Sequence, residues 1–208
     1  MSDLSHPAPR RTQTERSEQT RQRLIEAVIK SLQTYGYAGT TVTQIVTLAN
    51  VSRGALLHHF ATKAELIEAA AQYLVKAIYK QFNHSVQKLS PSENSLDDFI
   101  FTAWQVITAQ PESIAFAELL LESQRDQKLA DILQRLWTNV YISLEEFARA
   151  HLEPIATASE VKQLMVLTQW MLRGIALDKH LITDQGLINH YIKLWSNLLS
   201  QHIHTRNG

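Results

Sequence analysis

The chain has 208 residues, 45% hydrophobic and 19% charged, which is enough apolar material for a sizeable core and too much for a disordered or fibrous chain. Lys+Arg and Asp+Glu are equal at 20 each, a balance that at whole-chain level argues against a polyanionic partner, and the lack of cysteine excludes disulfides, thiolate metal sites and a cysteine nucleophile. The charge is unevenly spread: residues 1–63 hold eight Lys/Arg against four Asp/Glu, net +4, and the remainder is net −4, as expected of a basic end that meets an anion and an acidic body with another task.

Only 6 Gly and 5 Pro punctuate the sequence, and between them apolar residues recur at three and four, so the chain is predicted to be all-α with no strand. Residues 1–16 are polar, contain Pro7 and Pro9, and read as a flexible basic arm bearing Arg10, Arg11 and Arg16. A first helix is predicted from about Glu18 to Thr34 on the stripe Leu24, Ile25, Val28 and Leu32, with Gly36 ending it. Thr41 and Gln44 stand three apart like a capping box and open a short second helix carrying Val42, Ile45, Val46 and Ala49, which Asn50 stops in a left-handed conformation. Ser52 caps a third helix from Arg53 to about His59. Thr62, with Glu65 three residues on, starts a fourth from Lys63 to Leu89, whose inner face is Leu66, Ile67, Ala70, Leu74, Val75 and Ile78.

Beyond the Ser-Pro-Ser at 90–92, helices are expected near 95–109, 112–124, 126–151, 158–181 and 184–203, with His202 and His204 close to a frayed end. The organisation expected is therefore an arm at 1–16, a three-helix DNA-binding domain at 17–63, a linking helix at 64–90 and a larger helical ligand-binding and dimerisation domain at 91–208. The N-terminus lacks the apolar stretch of a secretory signal, and apolar runs near Leu129–Leu144 and Leu164–Leu172 are interrupted or ended by Asp131, Arg135 and Arg173. A cytoplasmic protein without a membrane partner is expected.

Residues 41–60, TVTQIVTLANVSRGALLHHF, have the layout of a helix-turn-helix. In that motif the second helix enters the major groove and the first crosses the phosphate backbone. A guanidinium at Arg53 suits the O6 and N7 acceptors of guanine, Ala55 and Leu57 offer apolar contact to a thymine methyl, and Gly54 allows close approach. Thr41, Thr43, His59 and Lys63 suit phosphates, and Ser52 and His58 complete the expected contact set.

The segment from about Arg21 to Leu74 resembles the DNA-binding domain of the tetracycline-repressor (TetR) family of bacterial transcription regulators. The matching residues include Ile25, Ala27, Gly36, Tyr37, Thr40-Thr41-Val42, Ile45, Ala49, Val51-Ser52-Arg53-Gly54, Leu56, His58, Phe60, Lys63, Glu65 and Leu66. The family pattern usually has Gly where Asn50 stands, and often Tyr at the positions of Leu57 and His59. The resemblance implies an allosteric homodimer in which two heads read a palindromic operator on double-stranded DNA, the last two helices of each body pair, and a small-molecule effector in each body releases the DNA. Applied to this chain, Met165, Leu172, Ile175, Leu187, Tyr191, Leu194 and Leu198 are the expected interface or core positions, with Gly174 and Ala176 allowing close helix approach.

In the body, Phe101, Trp104, Phe116, Trp137, Tyr141 and Trp170 are candidate lining for an effector cavity, although aromatic residues at helical spacing serve equally as core. Arg173, inside the apolar stretch Leu164–Leu177, either faces that pocket or pairs with an acid at the dimer interface, the second being favoured. No Gly-x-Ser-x-Gly, phosphate loop, Gly-x-Gly-x-x-Gly or Glu-x-x-His is found, so no catalytic residue, cofactor or metal is expected. The function read from the sequence is a ligand-responsive transcriptional repressor. Two alternatives stay open: a helical small-molecule binding module that does not read DNA, and a helical-bundle enzyme using the carboxylates Glu118, Glu122, Glu145 and Glu146.

Overall fold

The structure is a computed structural model and describes residues 12–88, 96–109, 111–154 and 158–205. These form nine α-helices, a 3-10 turn and one two-stranded antiparallel ribbon among the described residues. Two compact units are present, Met1–Ala70 and Ala71–Gly208, and the division falls inside the fourth helix.

The first unit holds α1 (Gln13–Gly39), α2 (Val42–Ala49), α3 (Arg53–His59) and the start of α4 (Lys63–Gln87). Helix α1 begins earlier than its apolar stripe suggests. Thr12 and Glu15 form a reciprocal capping box, the Thr12 N–H donating to Glu15 Oε2 at 2.7 Å and the Glu15 N–H donating to Thr12 Oγ1 at 3.2 Å, so Gln13 to Arg16 are helical and not part of an arm. Arg10 and Arg11 lie outside the described residues. Gly36 breaks the regular helix as expected: its φ of 65° is open to glycine without a Cβ penalty, and the turn that follows is tied by the Thr40 hydroxyl donating to the Gly36 carbonyl at 2.8 Å. Leu24, Val28, Leu32, Ile45 and Leu66 are essentially inaccessible and make the core of this unit. Each such side chain contributes about 1.5 to 3 kcal/mol of burial.

The second unit holds the rest of α4, α5 (Leu96–Ala109), α6 (Pro111–Glu122), α7 (Gln127–His151), α8 (Ala158–Asp178) and α9 (Gln185–Leu199). Asp126 caps α7 by accepting from the Leu129 N–H, and Asp184 caps α9 by accepting from the Gly186 N–H. A core of Phe99, Ile100, Phe147, Leu172, Ile188 and Ile192 fills this unit.

The expectation of no strand is corrected by β1 (Leu152–Pro154) and β2 (Ile203–Thr205), which pair antiparallel with Pro154 opposite Ile203 and Leu152 opposite Thr205. The chain after α9 is consequently not frayed. Ile203 is fully buried and anchors it, while His204 between the two inward residues stays exposed. Three residues are too short for alternation to stand out from a helical pattern, which is why this ribbon escapes a reading by periodicity.

Candidate functional site

The head presents a helix-turn-helix built by local hydrogen bonding. The Thr41 hydroxyl accepts from the Gln44 N–H at 3.2 Å and opens α2. Asn50 ends α2 at φ 51°, ψ 53°, the left-handed region where an Asn side chain is tolerated. The Ser52 hydroxyl then accepts from the Ala55 N–H at 3.1 Å and starts α3. Leu56 and Phe60 face inward and are buried, so the opposite side of α3 is forced out: Arg53, Gly54, Leu57 and His58 are exposed, and Ala55 and His59 are half-buried. Leu57, at 55% exposure, is an apolar residue held in water on this outer face.

The expected phosphate contacts flank this face. Thr41 and Thr43 are exposed on α2, and the Lys63 ammonium lies 4.8 Å from the centre of the Tyr37 ring, which holds the lysine at the start of α4. Arg21 is similarly held over Phe60 at 5.3 Å. His59 is pulled below the ordinary histidine range, first by burial and then by the neighbouring His58 and Arg21.

Within the second unit, a cavity of about 350 Å³ is lined from α4, α5, α6, α7 and α8. Of the candidate residues, Phe116, Trp137 and Arg173 line it. The Arg173 guanidinium lies 5.5 Å from the Trp137 ring centre and 5.9 Å from that of Phe116. Burial pulls its pKa down from the usual value, and the only described group that opposes this is the Tyr79 phenol. Within the chain, no described carboxylate acts on Arg173, which lies among aromatic rings.

The other aromatic candidates are elsewhere. Trp104 is buried in the core of the unit and Phe101 packs against that core, so both fill space and neither lines this cavity. Trp170 is 52% exposed on the outer side of α8, one turn before Gly174, because the inner side of that helix is already taken by Met165, Thr168 and Leu172. The side chain of Tyr141 lies outside the described residues.

Two lining residues escape the sequence reading. Tyr79 and Gln169 stand together, the Gln169 Nε2 donating to the Tyr79 hydroxyl at 3.4 Å, and Gln169 Oε1 is buried without a partner. Burial pushes the Tyr79 phenol up to about 12, so it remains a neutral O–H. The signals were present: Gln169 is a polar residue inside the apolar stretch Leu164–Leu172, and Tyr79 continues the inner face of α4 by one residue from Ile78.

A family model described as bacterial regulatory proteins, tetR family, matches residues 24–70, the segment from the core of α1 into α4. A helix-turn-helix transcriptional regulator of Mycobacterium bovis is 30% identical over 140 residues, 67% of this chain and 71% of that protein. The chain belongs to the TetR family. The regulator CymR of Pseudomonas putida is 34% identical over 126 residues, 61% of this chain, and the match spans 62% of the CymR length. Among solved structures, a transcriptional regulator from Rhodococcus sp. Rha1 shares the fold over 88% of this chain and 97% of its own, with a TM-score of 0.69 at 20% identity. The multidrug binding protein EbrR, solved with imidazole, does so over 90% of this chain and 96% of its own, with a TM-score of 0.65 at 18% identity. The family model covers the head, the sequence likeness to the Mycobacterium bovis regulator extends beyond it into the body, and the fold is shared over most of the chain.

Proposed function

We propose that this TetR-family protein is a ligand-responsive transcriptional repressor that binds a palindromic operator as a homodimer in the cytoplasm and leaves it when a small molecule enters the body. The observation that carries the reading is the outer face of α3, where Arg53, Gly54, Leu57 and His58 are exposed behind a helix start fixed by Ser52. Exposed donors and a methyl-reading side chain at the first turns of a recognition helix have a use in the major groove and none in the core.

Homodimer formation is supported by the outer sides of α8 and α9. Leu167, Trp170, Gly174 and Leu177 recur at three and four on α8, Leu187, Tyr191, Leu194 and Leu198 on α9, and all eight are exposed. Contiguous apolar stripes of this kind are uncommon on monomers. The effector site is the cavity of Phe116, Trp137 and Arg173. Helix α4 supplies Leu66 and Ile67 to the head core and Ile78 and Tyr79 to the cavity, so a single element carries residues of both. Coupling of about 1 to 3 kcal/mol, a 5- to 150-fold change in operator affinity, is the usual scale for such a device. The protein performs no catalysis in this reading. No described helix is long and apolar enough to cross a membrane.

Selection of bound sequences from random duplexes tests the proposal, followed by binding of the winner across a salt series. A palindrome with half-sites about one helical turn apart and a steep salt dependence is expected. Enrichment of nothing above non-specific binding overturns the operator-reading part.

A further inference from the structure

The cavity of the second unit contains a cation without a counter-ion. Arg173 is half-buried on α8, its guanidinium is flanked by the rings of Phe116 and Trp137, and among the described residues no carboxylate contributes to its electrostatic surroundings. A desolvated guanidinium left in that state is costly, and proteins normally neutralise it with an acid of their own. This chain does so elsewhere: Glu145 accepts from both Lys162 at 2.8 Å and Arg149 at 3.1 Å on the surface. Arg173 instead lines the cavity.

The surroundings narrow the class of anion. Tyr79 stands close enough to Arg173 for each to act on the other's charge, and its hydroxyl already accepts from Gln169, which leaves its own proton to donate. A planar fork of N–H donors beside a phenolic O–H matches a carboxylate. The cavity also carries an acid, Glu118, which has an interaction of its own within the protein, and a second cation, the exposed Lys179, which donates one hydrogen bond to the Thr108 carbonyl at 2.8 Å. Adjoining it, an apolar space of about 80 Å³ shares Ile78, Tyr79, Ile107 and Gln169 with this cavity and is also lined by Phe82 and Phe99. A ligand reaching from one to the other has a charged end and a greasy end.

We propose that the effector is a small amphipathic monocarboxylate, its carboxylate held by Arg173 and the Tyr79 hydroxyl, its flat or branched apolar body stacked beside Phe116 and Trp137 with the far end in the adjoining apolar space. The assignment rests on the reading of this cavity as the effector site and adds the chemical class of what enters it. The aromatic walls favour a flat ring, and the combined volume suits a ligand of benzoate to naphthoate size.

The test uses the purified full chain and shape-matched sets: substituted benzoates and naphthoates, the corresponding primary amides, and the corresponding benzylammonium ions, followed by calorimetry and tryptophan fluorescence. At least one carboxylate is expected to bind roughly 10- to 100-fold more tightly than its amide, the scale set by a charge-assisted hydrogen bond, and to move the emission of Trp137. Arg173→Gln is expected to remove that preference, bringing carboxylate and amide to similar affinity, and Tyr79→Phe to remove part of it. Trp137→Phe identifies the emission change as local, and an unchanged melting temperature in Arg173→Gln shows that loss of binding is not loss of fold. Amides or ammonium ions that bind as well as the carboxylates overturn the proposal, as does a carboxylate preference that survives Arg173→Gln, or a panel in which nothing binds. A carboxylate that binds through Arg173 yet leaves operator affinity unchanged upholds the ligand class and overturns the ligand-responsive repressor instead.

Discussion

The Ser52 hydroxyl accepts a hydrogen bond from the backbone N–H of Ala55 at 3.1 Å, so the residue at the tip of the recognition helix serves the helix before it serves any DNA. The two duties are separable. Ser52→Ala removes the cap and is expected to destabilise the protein by about 1 kcal/mol. Ser52→Asp retains a capping acceptor and puts a negative charge beside a favourable helix N-terminus, so its melting temperature should stay close to that of the parent. The same charge faces the phosphates, and DNA affinity is expected to fall at least tenfold at low salt. Thermal melts and duplex titrations on both variants check this; an aspartate variant that binds DNA normally would show that Ser52 stands clear of the backbone.

Gly54 is a glycine the fold does not require. A Cβ built there meets only Ser52 Oγ, at 3.8 Å, an ordinary contact, whereas one at Gly39 meets Tyr35 Cβ at 2.6 Å. Gly54→Ala should therefore leave stability unchanged or raise it by about 0.5 to 1 kcal/mol, as expected in a helix. If the missing side chain is there to let DNA approach, the same variant loses operator affinity. A stabilised protein with weakened binding is the expected pair of results, and unchanged binding would remove Gly54 from the contact set.

Arg53 and Lys63 are both basic and on the same unit, but their settings differ. Arg53 is exposed at the first position of α3 with no ring against it among the described residues, while the Lys63 ammonium lies 4.8 Å from the Tyr37 ring centre at the first position of α4. Arg53→Ala is expected to cost about 1 to 3 kcal/mol at one base position and to relax specificity there. Lys63→Ala should weaken all duplexes alike and reduce the salt slope by about one. Affinities for the selected operator and its single-base variants at several salt concentrations separate the two, and a uniform loss from Arg53→Ala would falsify its role as a base reader.

Most of the head was legible because its signals are local. Thr41, Asn50 and Ser52 act on residues within four positions of themselves, and the structure shows each cap and stop where the sequence places it. The body helices were legible from apolar spacing for the same reason. What the sequence hid depends on which face of a helix meets which neighbour. Trp170 and Arg173 are three apart on α8, so both were candidates for one pocket, yet Trp170 is on the outer side and Arg173 among Phe116 and Trp137 from other helices. Tyr79 and Gln169 are 90 residues apart, and no periodicity in either segment announces their hydrogen bond. The β1–β2 ribbon was missed on the same grounds, since its pairing joins residues about fifty apart through three-residue strands.

His59 gives the head a pH dependence whose sign is fixed. Its pKa in the folded protein is lowered from 6.5, chiefly by burial, then by His58 and Arg21, with Glu18 opposing. The unfolded chain therefore binds the proton more readily than the folded one. The stability this contributes is present above pH 6.5 and is lost as pH falls through 6.5 toward the lower folded value. Phosphates act in the opposite sense, because they favour the charged ring. Melting temperatures of the free protein are expected to drop between pH 7.5 and 5.5 by more than those of His59→Gln, and DNA should narrow the gap. Parallel curves for the two proteins would place the dependence on other groups.

The outer stripes of α8 and α9 bear the strongest consequence for assembly. Tyr191 and Leu194 are 50% and 47% exposed on α9, and Leu167 and Trp170 are 46% and 52% exposed on α8, whereas Leu172 and Ile192 on the inner sides are fully buried. Substitutions on the outer stripes thus spare the core, and Tyr191→Glu or Leu194→Glu should change the stability of an isolated subunit by no more than about 0.5 kcal/mol. In a self-pairing face each substitution acts twice, since a two-fold interface presents the same patch from both subunits, and each copy buries an unpaired carboxylate at a cost of about 3 to 5 kcal/mol. Sedimentation velocity should show the parent as a dimer and the double variant Tyr191→Glu/Leu194→Glu as a monomer that retains its helical circular dichroism. Operator binding is expected to fall with it by about 10² to 10⁴, because the second head no longer acts at the high effective concentration set by the first. A double variant that remains dimeric would move the interface off these stripes, and a monomer that binds the full operator as tightly as the parent would show that the heads read DNA independently.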